Sequence, residues 1–274
     1  MEKLLGIDRR IIFVFVAVAA ITPMLLRFEI PIPTTSIVKR VYDKIESLPE
    51  GSHVLIAFDY DPSSKEELLP MAIALMHHCF QRNLKAIGMT LNVTGKDLAE
   101  QAMSRTAALY GKESGKDYVF LGYKAGFYSV IAGMGQNIYS TFPKDAYGNN
   151  TRELPALEGV ETLRDIDYVI DLAAGDSTQM WIVYGKEKYK FDFGAGCTAV
   201  IGPEMYPFFQ SRQINGFLSG LKDAAEYEAI VKQKAQAVRG MPSQSITHLI
   251  VIFFVLFGNV VYFLTGKRKG QGKR

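Results

Sequence analysis

Hydrophobic residues form two long stretches at the ends of the chain and shorter runs between them. The C-terminal stretch, residues 246–265, contains no Lys, Arg, Asp or Glu, and its length matches the roughly 20 apolar residues that a helix needs to cross a bilayer. The N-terminal stretch, residues 11–27, is shorter and contains Pro23, so it crosses only a tilted or locally thinned bilayer. Both stretches are predicted to be transmembrane helices.

The N-terminal stretch is open to a second interpretation, a cleaved signal peptide. Lys3, Arg9 and Arg10 precede the apolar run, as they do in secretory signals. In a signal peptide the small residues of the cleavage site follow the apolar run. Here the small residues 17–20 lie inside the run. This position favours an uncleaved anchor.

Basic residues at the C-terminus indicate the orientation. Residues 266–274 contain five Lys and Arg side chains, and positively charged flanks favour the cytoplasm. The predicted organisation is a cytoplasmic N-terminus (1–10), a first span (11–27), an extracytoplasmic α/β domain (28–245), a second span (246–265) and a basic cytoplasmic tail (266–274). The expected location is therefore the cell membrane, with two passes and both termini in the cytoplasm.

Between the spans, short apolar runs alternate with segments of helical periodicity. Strands are predicted at 53–58, 84–91, 118–121, 168–172 and 198–201, and helices at 37–48, 70–82, 96–110, 177–184 and 215–238 and within 125–139. The runs are continuously apolar, which is typical of strands buried on both faces. The pattern predicts a three-layer, doubly wound, mostly parallel sheet. A hinge is expected at 240–243, before the second span.

Composition narrows the class of function. The chain has 274 residues, 48% of them hydrophobic, and a formal net charge of +3 that owes much to the basic tail. No basic stripe of the kind that nucleic acid requires is present, so nucleic acid is not an expected partner. Cys79 and Cys197 are the two cysteines, and we interpret them as buried free thiols.

Polar residues follow several predicted strands, where a parallel sheet places its ligands. Their order resembles that of haloacid dehalogenase-like phosphatases. The resemblance implies a nucleophile, a general acid, two phosphate-holding residues and a Mg²⁺ ligand, in this chain Asp59, Asp61, Thr90, Lys124 and Asp176. The family's second late acid is missing near Met180, although Asp171 is a substitute.

Two other interpretations of this rim remain open. Short acidic residues at strand-to-helix junctions often cap helices and turns. Alternatively, the rim binds or senses a small polar ligand through Asp59, Asp61, Asn92, Lys124, Asp176 and Ser177. No metal site is expected at His77-His78-Cys79, because adjacent helical residues point in different directions. No cofactor is predicted.

Three phrases are similar to those of an uncharacterised prokaryotic family of membrane-anchored α/β proteins. They are FDYDP at 58–62, LGYKAG at 121–126 and GLKDAAEYE at 220–228. The resemblance implies an architecture and a membrane setting, without an activity.

The function expected first is that of a non-enzymatic, membrane-anchored subunit or scaffold of a membrane protein complex. Its expected partners are membrane lipids and other membrane protein subunits, or a second copy of the chain bound through the transmembrane helices. His248 and Asn259 lie inside the second span, and polar groups in hydrocarbon tend to face other helices. A ligand-binding or sensing domain and the Mg²⁺-dependent phosphatase are the alternatives.

Overall fold

The computed structural model describes residues 8–26, 31–233 and 235–271, with side chains described as far as residue 264. It divides into two compact units, Met1–Pro31 with Val238–Arg274, and Ile32–Ala237. Most of the predicted N-terminal segment 1–10 and the basic side chains of the tail lie outside the described residues.

Helices and strands are numbered in chain order. The helices are α1 (Arg9–Leu26), α2 (Ser36–Glu46), α3 (Lys65–Gln81), α4 (Lys96–Leu109), α5 (Phe127–Met134), α6 (Ile138–Thr141), α7 (Ser177–Met180), α8 (Glu187–Tyr189), α9 (Gly202–Gln210), α10 (Gly220–Ile230) and α11 (Gln236–Gln271). The strands are β1 (His53–Asp59), β2 (Lys85–Thr90), β3 (Tyr118–Tyr123), β4 (Tyr168–Ala173), β5 (Phe193–Cys197) and β6 (Phe217–Ser219). A π-helical turn (Trp181–Lys186) joins α7 to α8, and 3₁₀ turns occupy Val93–Gly95, Thr151–Glu153, Pro155–Leu157 and Leu163–Asp165.

The six strands form one sheet in the order β3-β2-β1-β4-β5-β6. Every pair of neighbouring strands is parallel. The predicted α/β class is confirmed, and the sheet is parallel throughout, not only for the most part. Strand β1 lies between β2 and β4 and buries every residue from Val54 to Asp59, as is typical of a central strand in a parallel sheet.

The fifth strand is shifted from its predicted position. Residues 198–201 form a turn, and the strand is Phe193–Cys197. Its sequence, FGAGC, contains two glycines that break the apolar run expected of a buried strand. A Cβ at Gly194 would lie 2.1 Å from the Tyr168 hydroxyl, and one at Gly196 would lie 2.4 Å from a Leu172 methyl carbon. Packing against β4 therefore requires glycine at both positions.

The prediction of a single helix at 215–238 is also wrong. This region contains β6, then α10, and then the start of α11. Strand β6 has three residues, and its pairing with β5 is a long-range contact that local periodicity does not reveal. The expected hinge at 240–243 is helical, with Pro242 inside α11.

The interpretation of the two cysteines is confirmed. Cys79 and Cys197 are both free and buried. Burial raises the pKa of each thiol to about 12, so both are neutral and inert at physiological pH.

The unit built from the chain ends contains two apolar helical segments, Arg9–Leu26 and Gln236–Leu264, that are long and apolar enough to cross a membrane. They touch each other. The Phe15 and Phe254 ring centroids are 6.0 Å apart, and the Ser243 hydroxyl donates a hydrogen bond of 2.5 Å to the Ala20 carbonyl. The two apolar segments thus form a helix pair.

Candidate functional site

The centre of the sheet is where the chain changes direction. It passes from β1 outward to β2 and β3, then returns to the other side of β1 at β4. In parallel α/β sheets the carboxyl ends of two such strands form a crevice that ligands use. Asp59 is the last residue of β1, and Asp171 lies within β4 two residues before the partner of Asp59, Ala173.

Both aspartates are buried. Asp59 is 5% exposed and Asp171 is fully buried. The Asp59 Oδ1 atom accepts a 2.5 Å hydrogen bond from the Leu91 backbone N–H, and Oδ2 accepts one of 3.3 Å from the Trp181 indole. Donors from the residue that follows β2 and from the π-helical turn therefore hold the Asp59 carboxyl at the end of β1.

Only one of the two carboxylate oxygens of Asp171 accepts hydrogen bonds. Its Oδ2 atom accepts hydrogen bonds from the hydroxyls of Ser177 and Thr178, at 2.9 and 2.8 Å. Its Oδ1 atom is buried and accepts none. A buried carboxylate oxygen without a donor is costly, and protonation of Oδ1 removes that cost.

The two carboxyl groups interact electrostatically. Burial raises the pKa of Asp59 to about 6, although hydrogen bonds from Leu91 and Trp181 oppose the shift. Burial and the neighbouring Asp59 charge raise the pKa of Asp171 well above its ordinary value. Two buried carboxyls in contact favour a state with one shared proton. The pair can therefore bind or release a proton near neutral pH.

Trp181 links this pair to an unusual piece of backbone. It is fully buried and is the first residue of the π-helical turn Trp181–Lys186. π-helical turns are rare and occur frequently at functional sites. Trp181 is the chain's single tryptophan. Its fluorescence therefore reports on the surroundings of Asp59, which its indole contacts.

The structure brings two further predicted site residues, Thr90 and Ser177, close to the pair and leaves the others in separate local settings. Thr90 lies next to the pair, and its hydroxyl oxygen is 2.7 Å from the Phe58 carbonyl oxygen and 2.9 Å from the Asn92 carbonyl oxygen, either of which can accept its single proton. Ser177 binds Asp171 as described above. Asn92 accepts hydrogen bonds from the backbone and the hydroxyl of Thr94, which makes it the cap of a 3₁₀ turn.

The remaining three predicted residues do not join the pair. The Asp61 Oδ1 atom accepts hydrogen bonds from Ser63 N–H and Oγ, at 2.8 and 2.6 Å, and so stabilises the turn before α3. Asp176 is exposed at the N-cap position of α7 and makes no capping bond. The Lys124 ammonium donates to the Thr141 carbonyl and lies over the Phe142 ring.

Metal ligation has little support in the part of the chain that the structure describes. No group of three or more His, Cys, Asp or Glu side chains converges there. His77 shares a 3.0 Å hydrogen bond with Tyr110, and the two ring nitrogens of His78 bind Tyr227 and Glu46. These histidines connect helices.

Sequence reasoning named Asp59 but missed its pairing with Asp171 and the contact with Trp181. One signal was available, because Asp171 is an acidic residue inside the apolar run YVIDLA of β4. A charge at a buried strand position needs a compensating partner. The partner's identity depends on strand order, which a local pattern does not contain.

The pair predicts a pH dependence of stability. Both folded-state pKa values lie above the unfolded value of about 3.9, so the folded chain binds more protons. That contribution is complete below about pH 4, and the part due to Asp59 is lost as the pH rises through about 6. Asp171→Asn keeps an acceptor for Ser177 and Thr178 and places an amide donor toward Asp59. We expect it to raise the free energy of unfolding at pH 8 by on the order of 1–3 kcal/mol.

The measurement is chemical unfolding of the full chain in detergent from pH 4 to pH 8, followed by Trp181 emission. Asp176→Asn, which alters an exposed carboxylate in the adjacent turn, is the matched control and should follow the wild-type curve. Native emission should also change with a midpoint near pH 6 and lose that transition in Asp59→Asn. Parallel stability curves for Asp171→Asn and wild type would contradict the shared proton.

Comparison with known proteins adds no further constraint. No protein-family model, no curated protein and no solved structure matched this chain. Its function has to be argued from its own residues.

Proposed function

We propose that this protein is a non-enzymatic, membrane-tethered α/β subunit of a membrane protein complex. The observation that carries the proposal is the apolar surface of the two end helices. In their most apolar 18-residue stretches, only 11% of the N-terminal and 6% of the C-terminal residues are buried. Exposed side chains such as Phe13, Leu25 and Leu249, at 65, 75 and 66%, favour lipid or other helices over water.

A doubly wound arrangement of the domain is part of the proposal. Ile87 of β2 packs in the same cluster as Trp181, which places α7 and the π-helical turn on one side of the sheet. The adjacent strand residue, Gly88, faces the other way, and a Cβ there would lie 2.1 Å from the Met103 sulfur of α4. These contacts support helices on both faces, as expected when the chain crosses to the far side at β4.

Helix α10 forms hydrogen bonds with both segments that connect the domain to the end helices, one at Thr35 and the other at residues 235–237. The Glu226 Oε2 atom accepts hydrogen bonds from the backbone N–H and hydroxyl of Thr35, at 2.7 and 2.8 Å. The Glu228 carboxylate accepts from the backbone N–H groups of Ala235 and Ala237, at 3.1 and 3.0 Å. Both glutamates are buried, at 0 and 1% exposure, so the two connections leave the domain at fixed points.

Polar groups on α11 support a partner inside the membrane. His248, Ile252, Val255 and Asn259 recur at intervals of four, three and four residues, so they share one face. All four are exposed, while Phe254 on a different face contacts α1. Asn259 satisfies one donor on its own helix, at the Val255 carbonyl. An imidazole and an amide on a lipid-facing surface favour a further helix against this face.

The orientation belongs to the proposal as well. The five Lys and Arg residues of 266–274 favour a cytoplasmic tail, and two spans then place the N-terminus on the same side. The α/β domain is extracytoplasmic in this arrangement, in the cell membrane of a prokaryote if the family resemblance holds.

The phosphatase alternative remains a prediction with less support. Its nucleophile would be Asp59, which is 5% exposed and bonded to Leu91 and Trp181. Its phosphate-holding residues would be Thr90, whose hydroxyl donates to a backbone carbonyl, and Lys124, whose ammonium donates to the Thr141 carbonyl. The side chains of Asp59 and Thr90 are therefore already hydrogen-bonded within the protein, which disfavours their use in phosphoryl transfer.

The hydrogen bonds between α10 and the C-terminal connection are testable by mutation. Glu228→Ala removes the acceptor of two backbone N–H groups, which we expect to cost about 1–3 kcal/mol of stability. It should also accelerate trypsin cleavage in the 231–237 connection, which contains the exposed Lys232. Glu204→Ala, an exposed glutamate on α9, is the control. Equal cleavage rates in the two variants would show that Glu228 does not hold this connection.

The partner helix is testable by photocrosslinking in native membranes. A photoreactive phenylalanine analogue replaces Ile252 on the polar face, or Phe253, which points about 100° away on the same helix. We expect the Ile252 probe to give a discrete protein adduct and the Phe253 probe to give mainly lipid adducts.

The mass of the adduct separates the two kinds of partner. Twice the mass of the chain indicates self-association, and any other discrete mass indicates a different subunit. Lipid adducts alone from both positions, together with a monomer in mild detergent, would contradict a role in a membrane complex.

A further inference from the structure

A groove of about 510 Å³ lies at the carboxyl end of β3, away from the Asp59 and Asp171 pair. One wall is the end of β3 and the residue after it, Gly122 to Lys124, and the other is the segment Thr141 to Ala146. Lys96, the first residue of α4, completes the lining. The volume is within the range of about 300–1,000 Å³ that small-molecule sites occupy.

A β-bulge shapes this groove. The pairing of β2 with β3 shifts register between Gly88 and Thr90, where β3 contains one extra residue. Gly122 in this bulge has φ +87°, a left-handed conformation that glycine adopts without strain. The strand then turns outward, and Tyr123 becomes 38% exposed. Bulges that redirect side chains are common beside binding sites.

Three lysines line the groove, Lys96, Lys124 and Lys144, and all three are exposed. The Lys124 ammonium is positioned by its hydrogen bond to the Thr141 carbonyl and by the Phe142 ring, whose centroid is 5.3 Å away. It keeps further donors, because an ammonium group has three. The groove therefore has one positioned cation and two adjustable ones.

The acidic residue in the lining does not neutralise these lysines by direct contact. Asp145 is 6% exposed, and its carboxylate accepts three hydrogen bonds from its own loop. They come from Tyr147 N–H at 2.9 Å, Asn149 N–H at 2.8 Å and the Asn149 side-chain amide at 3.0 Å. Among the ion pairs of the described residues, none joins Asp145 to a lysine. The lining thus carries an excess of positive charge.

We propose that this groove binds the phosphate group of a small phosphorylated molecule. A phosphate presents several acceptor oxygens and up to two negative charges, which match a groove lined by three lysines better than a single carboxylate does. The exposed ring of Tyr123 offers an apolar surface to the remainder of the ligand. A soluble phosphoester and a phospholipid headgroup share this chemistry.

The test uses the full chain in detergent or in nanodiscs and two probes. Inorganic pyrophosphate represents the soluble source, and nanodiscs with phosphatidic acid in phosphatidylcholine represent the lipid source. The variant combines Lys96→Gln with Lys144→Gln, which leaves the Lys124 to Thr141 bond intact. The control combines Lys116→Gln with Lys188→Gln, two exposed lysines outside the groove, and removes the same charge.

We expect the wild type to bind at least one probe with a Kd below about 1 mM. Binding is measured by calorimetry for pyrophosphate and, for the lipid, by protection from acylation of Lys124, a groove lysine that both variants retain. The groove variant should weaken binding at least tenfold, and the control should change it less than twofold. Binding of either probe with this pattern supports the proposal and identifies the source. Failure to bind either probe, or equal losses in both variants, overturns it.

Discussion

Glu226 and Glu228 lie two residues apart on α10 and are almost entirely hidden from solvent, and the connections at both ends of the domain depend on them. A buried carboxylate needs donors, and these two find theirs in backbone N–H groups at Thr35, Ala235 and Ala237. The ammonium of Lys222, one turn earlier on α10, also donates to Glu226. One helix thereby joins the start and the end of the domain.

Helix α10 also connects both ends of the domain to the centre of the sheet. It packs against α3, the helix that follows Asp59 and β1. The tyrosine between the two glutamates, Tyr227, is fully buried and binds His78 of α3 at 2.7 Å. The domain thus buries carboxylates in two ways. The two glutamates accept hydrogen bonds from backbone N–H groups, whereas Asp59 and Asp171 interact with each other and favour one shared proton.

The parallel sheet was predictable because its strands are continuous apolar runs separated by helical periodicity. The elements that the sequence did not reveal depend on partners distant in the chain. Strand β5 is hidden by Gly194 and Gly196, which are small because Tyr168 and Leu172 occupy the space above them. Glu226 is a charged residue within a helix, a pattern that usually indicates exposure, yet it is buried because Thr35 supplies donors for its carboxylate.

The polar residues at the carboxyl ends of the strands also have partners that local sequence patterns do not reveal. Local patterns drew attention to Asp59, but Asp171 becomes its neighbour only through the strand order, which places β4 beside β1. The acidic turn at Asp61 is satisfied locally by Ser63, as the capping interpretation expected. Residues whose partners are near in sequence were therefore predictable, and residues paired across the sheet were not.

The central claim, a domain tethered to a membrane at both ends, is tested most directly by cysteine accessibility in intact cells. Both native cysteines are buried and free, so a membrane-impermeant maleimide reports on introduced cysteines alone. The account predicts that Glu204→Cys in the domain reacts in intact cells, that Lys273→Cys in the tail reacts only after permeabilisation, and that the protein resists alkaline carbonate extraction. Equal labelling of the two positions, or release by carbonate, would contradict it.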